Sequence, residues 1–314
     1  MPPKPIPSPR SLLPLIGDYG SAVETLYVLE KDQSLFFTGK KTDFVQLEPM
    51  SDDLFRIASE DPYDRNTLTF RRDRSRIAKS MTFRGAEFRR ITTGGEAGAT
   101  FKIVPLRNIR QLRKEALAEE PPLERGVFLR TELVEVTKLD STIRLDIRYA
   151  GTNNFMDEVF YSQARAFLQR PAAEAVVRAH RSLKSFGYGL LVHDAYRPWY
   201  VTKMFWEATP KDKRDFVADP SKGSRHNRGC AVDITLYDVA TGKVIEMPSS
   251  YDEFSERAYP TYPGGTSLQR WHRELLRIAL EDQGFNVYEW EWWHFDYKDW
   301  KRYPIHNVTF ENLN

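Results

Sequence analysis

Residues 224–237 read SRHNRGCAVDITLY, and they contain the strongest structural and chemical signal in the chain. Gly229 allows a tight turn after His226, and the apolar, β-branched run that follows predicts a strand carrying Asp233. Alternation along that strand places Asp233 on the opposite face from its apolar neighbours, which point into the core. A carboxylate in such surroundings requires a partner, so His226 and Asp233 are candidates for one polar site.

A second candidate segment is EWEWWHFDY, residues 289–297, where Glu291 precedes His294 by three positions. A flat strand would place these two side chains on opposite faces, so we expect a bend or short helical turn between them if both serve one metal ion. The aromatic surroundings favour a raised carboxyl pKa, as a general base requires. Each feature alone is weak, because E-x-x-H recurs by chance and a His beside an Asp is more often a structural pair.

Together the segments supply two imidazoles and a carboxylate, which with an open fourth position make a catalytic zinc site of the hydrolase type. Glu291 would then take a proton from water and deliver it to a leaving amine. Arg197, in HDAYRPW, is the candidate for stabilising an oxyanion, because Pro198 stiffens the turn and a guanidinium keeps its charge. Arg197 could equally cap a helix or pair with Asp194.

Composition restricts the remaining function classes. The 314 residues include 46 basic and 44 acidic side chains, a net charge of +2 that gives no general reason for polyanion or membrane binding. The single cysteine, Cys230, excludes an intrachain disulfide and a multi-cysteine zinc site. No run approaches the roughly 18 apolar residues of a membrane span. As it stands the chain predicts a cytoplasmic protein, or a periplasmic one if a leader has been removed.

The chain divides into two predicted domains. Residues 1–122 form a β-rich domain with a Pro-rich lead and a linker helix, and residues 123–314 form an α+β catalytic domain. Short alternating segments such as TLTF and SMTF predict a small antiparallel meander or barrel before residue 106. Helical periodicity marks the linker at residues 108–122, and three later helices are expected near residues 172–185, 199–206 and 268–282.

Basic residues outnumber acids between Arg65 and Arg90, which raises the alternative of a nucleic-acid binder with steeply salt-dependent affinity. No aromatic-interleaved recognition motif accompanies these arginines. We therefore predict no nucleic-acid partner, and interpret the arginines as side chains that protect strand edges from aggregation.

The stretch SRHNRGCAVD matches S-x-H-x-x-G-x-A-x-D at every fixed position, and EWWH follows about sixty residues later. The chain thus resembles the D-alanyl-D-alanine dipeptidases of the VanX type, which are zinc peptidases. RYAGTNNF, GYGLLVHDAYRP, ITLYDVATGKVIEMPSSYDEF and GFNVYEWEWWHF extend the resemblance over roughly residues 128–305. Cys230 and His193 depart from the residues usual in the family, and the segment before residue 120 lies outside the resemblance.

The resemblance implies one zinc ion per chain and assigns roles to individual residues. It implies that His226, Asp233 and His294 are the metal ligands, that Glu291 is the general base, and that Arg197 lies near the scissile carbonyl. It also implies that Ser224 and Asp252 bind the substrate ammonium, and that Tyr149 is a further member of the pocket. A buried Asp252 facing that ammonium would favour a dipeptide, because a longer peptide presents a neutral amide there.

The predicted activity is therefore hydrolysis of D-Ala-D-Ala to two D-alanines. One alternative is a D,D-carboxypeptidase that trims muropeptides with the same metal and reaction. Another is a non-catalytic module that binds cell-wall material, against which the joint presence of Glu291 and Arg197 argues. The sequence predicts no oligomeric state.

Overall fold

Eight antiparallel strands close into a barrel in the N-terminal part of the computed structural model, which describes residues 2–21, 24–39, 42–58, 66–95 and 99–313. The strands are β1 (Gly17–Gly20), β2 (Thr25–Lys31), β3 (Ser34–Gly39), β4 (Thr42–Pro49), β5 (Leu54–Ile57), β6 (Thr67–Arg72), β7 (Ala78–Phe83) and β8 (Ala86–Arg90). Closure comes from pairing of β1 with β8, where Tyr19 lies opposite Arg90. The expected antiparallel β domain is confirmed.

Alternation explains how the barrel fills its interior. In β6, Leu68 and Phe70 are buried while Thr67 and Thr69 are exposed, and Met81 of β7 is also buried. A closed barrel has no free strand edge, so the arginines of this region have none to protect, contrary to our expectation.

The C-terminal part is built on a five-stranded sheet in the order β10-β12-β13-β15-β14. The strands that follow the barrel are β9 (Leu133–Glu135), β10 (Arg144–Leu145), β11 (Phe167–Gln169), β12 (Tyr188–Asp194), β13 (Ala231–Asp238), β14 (Phe285–Tyr288) and β15 (Glu291–Tyr297). The helices are α1 (Ile109–Leu117), α2 (Val136–Leu139), α3 (Arg170–Leu183), α4 (Trp199–Ala208) and α5 (Ser267–Glu281). Within this sheet β10 pairs in parallel with β12, whereas the other described pairs are antiparallel. Strands β9 and β11 form a separate two-stranded ladder. The α+β class is confirmed.

Helices α3 and α5 pack together and against the sheet. Local sequence explains their starts, since Pro171 opens α3 and Thr266 forms a capping box with Gln269 at the start of α5. The buried core of the sheet also includes Ile109 and Leu112 of α1. The division of the chain at residue 122 stays a prediction.

The barrel packs against the segment that leads into α5. Leu29 of β2 forms a parallel bridge with Gly265, and the Glu30 amide donates to the Gly265 carbonyl at 3.1 Å. The buried Glu30 carboxylate accepts the amide of Ser267 at 2.9 Å, where a negative charge stabilises the helix N-terminus.

Two tyrosine hydroxyls strengthen the same interface. Tyr262 donates to the buried carboxylate of Asp18, and Tyr27 donates to Glu256 at 2.5 Å. The barrel therefore holds residues 256–267 from one side. No helix in the described part of the chain combines the length and apolar character required to cross a membrane.

Candidate metal centre and active site

Three neighbouring strands place polar residues in a row across the sheet. Asp233 of β13 pairs with His294 of β15 on one side and with Asp194 of β12 on the other. The register of β12 shifts between Val192 and Asp194, which brings Asp194 opposite Asp233. All three polar side chains are buried.

His226 reaches this row from the turn that precedes β13. A short 3-10 turn spans His226–Arg228 and ends at Gly229, whose φ is 65°. A Cβ at Gly229 would lie 2.4 Å from Cδ2 of Leu133 and 3.3 Å from the Gln169 backbone nitrogen, so a larger residue would displace Leu133 besides straining the backbone. The predicted tight turn is present.

Three ligand atoms converge at the centre of the site. Oδ1 of Asp233 lies 3.3 Å from Nε2 of His226 and 3.0 Å from Nδ1 of His294, and the two ring nitrogens are 3.1 Å apart. The three atoms could hold a metal ion. They come from residues distant in sequence, as the motifs predicted.

The outer contacts of both imidazoles determine which ring nitrogens carry lone pairs. Nδ1 of His226 faces the Ala195 carbonyl oxygen at 2.6 Å, and Nε2 of His294 faces a carboxylate oxygen of Asp296 at 2.9 Å. Each of these nitrogens must donate its proton, so the inner nitrogens of the neutral rings are both acceptors. Oδ1 of Asp233 is buried and has no hydrogen-bond partner among the described residues. Three facing acceptors require a cation or a proton between them.

The electrostatics agree with this requirement. Burial raises the pKa of the Asp233 carboxyl, but His226 and His294 outweigh burial and hold that pKa well below its usual range. Burial lowers the pKa of His294, yet Asp296 and Asp233 outweigh it and raise that pKa to about 10. The site therefore stabilises positive charge.

Glu291 approaches the same centre through an irregularity in β15. Tyr288 pairs with Glu291 whereas the preceding Val287 pairs with Phe295, so the strand makes the predicted bend between Glu291 and His294. Oε2 of Glu291 lies 3.6 Å from Nδ1 of His294. Burial raises the pKa of Glu291 to about 7, although His294 acts against this rise.

Arg197 approaches the site beside Asp194 of β12. Its Nε and Nη2 contact Oδ2 of Asp194 at 2.9 and 2.8 Å, and Nη2 lies 3.8 Å from Oδ2 of Asp233. Tyr161 and the Ala195 amide occupy the other oxygen of Asp194. The pairing of Arg197 with Asp194, one of the alternatives open in the sequence, is thus present, and Arg197 also lines the cavity.

Asp252 forms a second acidic position in the cavity. Both of its oxygens accept the Tyr149 hydroxyl, at 2.9 and 3.1 Å, and its φ of 58° lies in the left-handed region that Asp tolerates better than most residues. Burial, with Asp233 and Glu291 nearby, raises the pKa of Asp252 well above its usual range. A strained, buried acid of this kind is typical of functional sites.

Ser224 lines the cavity and supports the turn. Its hydroxyl accepts the amide of His226 at 3.2 Å, and its own amide donates to Asn227 at 2.7 Å. Aromatic residues of the wall include Phe216 and Phe254, whose rings stack with centroids 4.9 Å apart. All the residues predicted for the site line this cavity: Tyr149, Arg197, Ser224, His226, Asp233, Asp252, Glu291 and His294.

Sequence reasoning missed two supporting residues, and it gave Asp194 only as an alternative partner of Arg197. Asp296 orients His294, and the Tyr251 hydroxyl donates to Oδ2 of Asp233 at 2.9 Å. Both lie within two residues of a predicted site residue, and this proximity is the signal that could have found them. Cys230 is fully buried, and burial raises the pKa of its thiol, so it is unreactive.

Comparison with known proteins agrees with this site. Residues 129–312 match the peptidase M15 family described as D-ala-D-ala dipeptidase. The D-alanyl-D-alanine dipeptidase of Escherichia coli K12 is 32% identical over 56% of this chain and 89% of its own length. Those of Enterococcus faecalis and Streptomyces coelicolor are 32% and 30% identical, each over 52% of this chain and 89% and 90% of their own lengths.

The chain belongs to this D-ala-D-ala dipeptidase family, and it is a peptidase. The family match excludes the barrel, which precedes residue 129. A crystal structure of SurE with D-Leu matches 29% of this chain and 22% of its own at 21% identity, and its TM-score of 0.24 supports no conclusion.

Proposed function

We propose that this protein is a zinc-dependent dipeptidase that hydrolyses D-Ala-D-Ala to two D-alanines. The observation that carries the proposal is the convergence of three buried acceptor atoms beside Glu291, in a cavity that also contains Asp252. Membership of the dipeptidase family supports the choice of reaction, and the names of the relatives support the choice of substrate.

His226, Asp233 and His294 would hold one zinc ion per chain. Two imidazoles and one carboxylate suit zinc, whose bonds of about 2.0–2.1 Å in a tetrahedron separate ligand atoms by about 3.3 Å. The separations of 3.0 to 3.3 Å in this site fit that geometry. A bound zinc ion lowers the pKa of a water molecule and polarises a carbonyl group.

Glu291 is the proposed general base. Its raised pKa of about 7 matches a group that must accept a proton near neutrality and return it to the leaving amine. Positive charge at the three ligand atoms would lower this pKa and keep the carboxylate ready to accept the proton.

Arg197 is proposed to stabilise the oxyanion that develops on the scissile carbonyl. Its contacts with Asp194 fix the guanidinium, and the faces of Tyr149 and Phe205 lie 5.3 and 4.9 Å from it. A cation fixed in this way needs no reorganisation as negative charge develops.

Asp252, with Ser224, is proposed to bind the ammonium of the substrate, and Tyr149 orients the Asp252 carboxylate. The raised pKa of Asp252 shows that a lone negative charge is costly there, and an arriving ammonium would remove that cost. A longer peptide would present a neutral amide, leave the carboxylate unpaired, and bind poorly.

A metal analysis combined with a cleavage assay tests the proposal. The purified protein should contain about one zinc per chain, hydrolyse D-Ala-D-Ala, and lose activity with a chelator and regain it with zinc. L-Ala-L-Ala serves as the stereochemical control. Preferred cleavage of a peptidoglycan pentapeptide would instead establish a carboxypeptidase, and cleavage of neither would refute the proposed zinc-dependent hydrolysis of D-Ala-D-Ala.

A further inference from the structure

A second arginine lines the cavity and has no role in the steps proposed above. Arg225 immediately precedes His226, and its side chain is 38% exposed. Its guanidinium carbon lies 4.9 Å from the ring centroid of Trp300 and 5.7 Å from that of Tyr288. These two aromatic rings hold the guanidinium in place.

The Nε donor of the Arg225 guanidinium lies near a carboxylate but makes no hydrogen bond with any described residue. This nitrogen is buried, and it lies 3.4 Å from Oδ2 of Asp296. Asp296 is meanwhile hydrogen-bonded to His294 through its other oxygen. A buried donor without an acceptor is costly unless a ligand supplies one.

The charges of the cavity show which ligand group is needed. Four carboxylates and two guanidiniums line it: Asp215, Asp233, Asp252, Glu291, Arg197 and Arg225. Under the proposed function Arg197, fixed by Asp194, serves the scissile carbonyl, so Arg225 is the arginine of this cavity that is left for a second anionic group. A free dipeptide carries an ammonium and a carboxylate, and under the proposed function Asp252 binds the ammonium.

We propose that Arg225 binds the terminal carboxylate of the dipeptide and selects substrates with a free C-terminus. This inference rests on the proposed function. The planar guanidinium matches a carboxylate in a two-point hydrogen bond, and the flanking rings reduce the entropy lost on binding. With Asp252 at the other end, the site recognises both charged ends of its substrate and excludes extension at either one.

The test compares D-Ala-D-Ala with its C-terminal amide, which lacks the negative charge and replaces one acceptor oxygen with an NH₂ donor. The zinc-loaded wild type should favour the acid by about 10- to 100-fold in kcat/KM. Arg225→Ala should lose most of that preference by slowing cleavage of the acid, with little change for the amide. Arg225→Lys should keep part of the preference for the acid, because lysine retains the positive charge but cannot make the paired hydrogen bonds of a guanidinium.

Arg144→Ala is the matched control. Arg144 also lies over an aromatic ring, 4.2 Å from the centroid of Tyr237, but it does not line the cavity. Arg144→Ala should leave the ratio of kcat/KM for the acid to kcat/KM for the amide unchanged. Zinc content is measured for every variant, since Arg225 adjoins His226.

Two results would overturn the assignment of Arg225. Equal loss of activity toward acid and amide would show a structural role, and an undiminished preference in Arg225→Ala and Arg225→Lys would place carboxylate recognition elsewhere. Both results leave dipeptide hydrolysis intact. Wild-type protein that cleaved neither compound would refute the proposed function together with this inference.

Discussion

Tyr251 donates a hydrogen bond to Oδ2 of Asp233 at 2.9 Å, while Oδ1 of the same carboxylate faces His226 and His294. The tyrosine thereby fixes which oxygen is presented to a metal ion. Its ring stacks on His193 with centroids 4.5 Å apart, and the next residue in the chain is Asp252. One short segment therefore supports both the metal-binding and the ammonium-binding sides of the proposed site.

Tyr251→Phe should weaken zinc binding by about 10- to 100-fold, because it removes the hydrogen bond that orients Asp233. Competition with a chromogenic chelator measures the change. Tyr196→Phe is the control, since its buried hydroxyl donates to the Val308 carbonyl instead. Equal zinc affinity in both variants would show that Asp233 is oriented without Tyr251.

Glu291→Gln should retain zinc and lose turnover by about 10²- to 10⁴-fold, because the amide cannot accept a proton. Zinc content and kcat for D-Ala-D-Ala are the two measurements. Glu289→Gln removes a neighbouring exposed carboxylate and should leave both unchanged. Near-normal turnover in Glu291→Gln would contradict its assignment as the general base.

Asp252→Asn should raise KM for D-Ala-D-Ala by about tenfold or more, with a smaller effect on kcat, because the lost charge pairs with the ammonium in both ground state and transition state. Steady-state kinetics separate the two parameters. Asp282→Asn, at the exposed end of α5, is the control. A selective loss of kcat would assign Asp252 to the chemical step instead of to binding.

Asp18 should make stability depend on pH. Burial raises its pKa from 3.8 to about 6, despite the hydrogen bond from Tyr262. The folded state therefore binds this proton more tightly than the unfolded state does, so the contribution of Asp18 is fully present below about pH 4 and is lost as pH rises to about 6. This pKa shift corresponds to a change of about 3 kcal/mol in the free energy of unfolding.

Asp18→Asn should abolish this pH-dependent contribution to the free energy of unfolding. Urea unfolding of the variant and the wild type at pH 4 and pH 7 measures the contribution as the difference between the two proteins. The gain in stability of the variant should be larger at pH 7. Asp43→Asn changes an exposed carboxylate of the same barrel and should show no such trend. A constant difference between Asp18→Asn and wild type at both pH values would contradict the prediction.

The positions of the metal-ligand candidates could be predicted because each lies in a short segment with its own local signal. Gly229 marked the turn after His226, and strand alternation placed Asp233. The bend between Glu291 and His294 could be predicted because a flat strand places residues three positions apart on opposite faces. The alternating segments before residue 106 likewise predicted an antiparallel β domain.

The remaining features depend on contacts between distant parts of the chain. Closure of the barrel requires β1 to meet β8, and nothing local in either strand specifies that pairing. The contact of Glu30 with the start of α5 joins residues 237 positions apart. The surroundings of Arg225 depend on Tyr288, Asp296 and Trp300, which lie more than sixty residues later in the chain, so sequence spacing could not reveal them.

The bridge between Leu29 and Gly265 joins the barrel to the catalytic part of the chain at a point next to α5. A recombination event that replaced the barrel with an unrelated module would also remove the acidic cap that Glu30 provides to a helix of the peptidase. Exchange of the barrel is therefore expected to weaken the start of α5 unless the new module supplies another acceptor for the Ser267 amide.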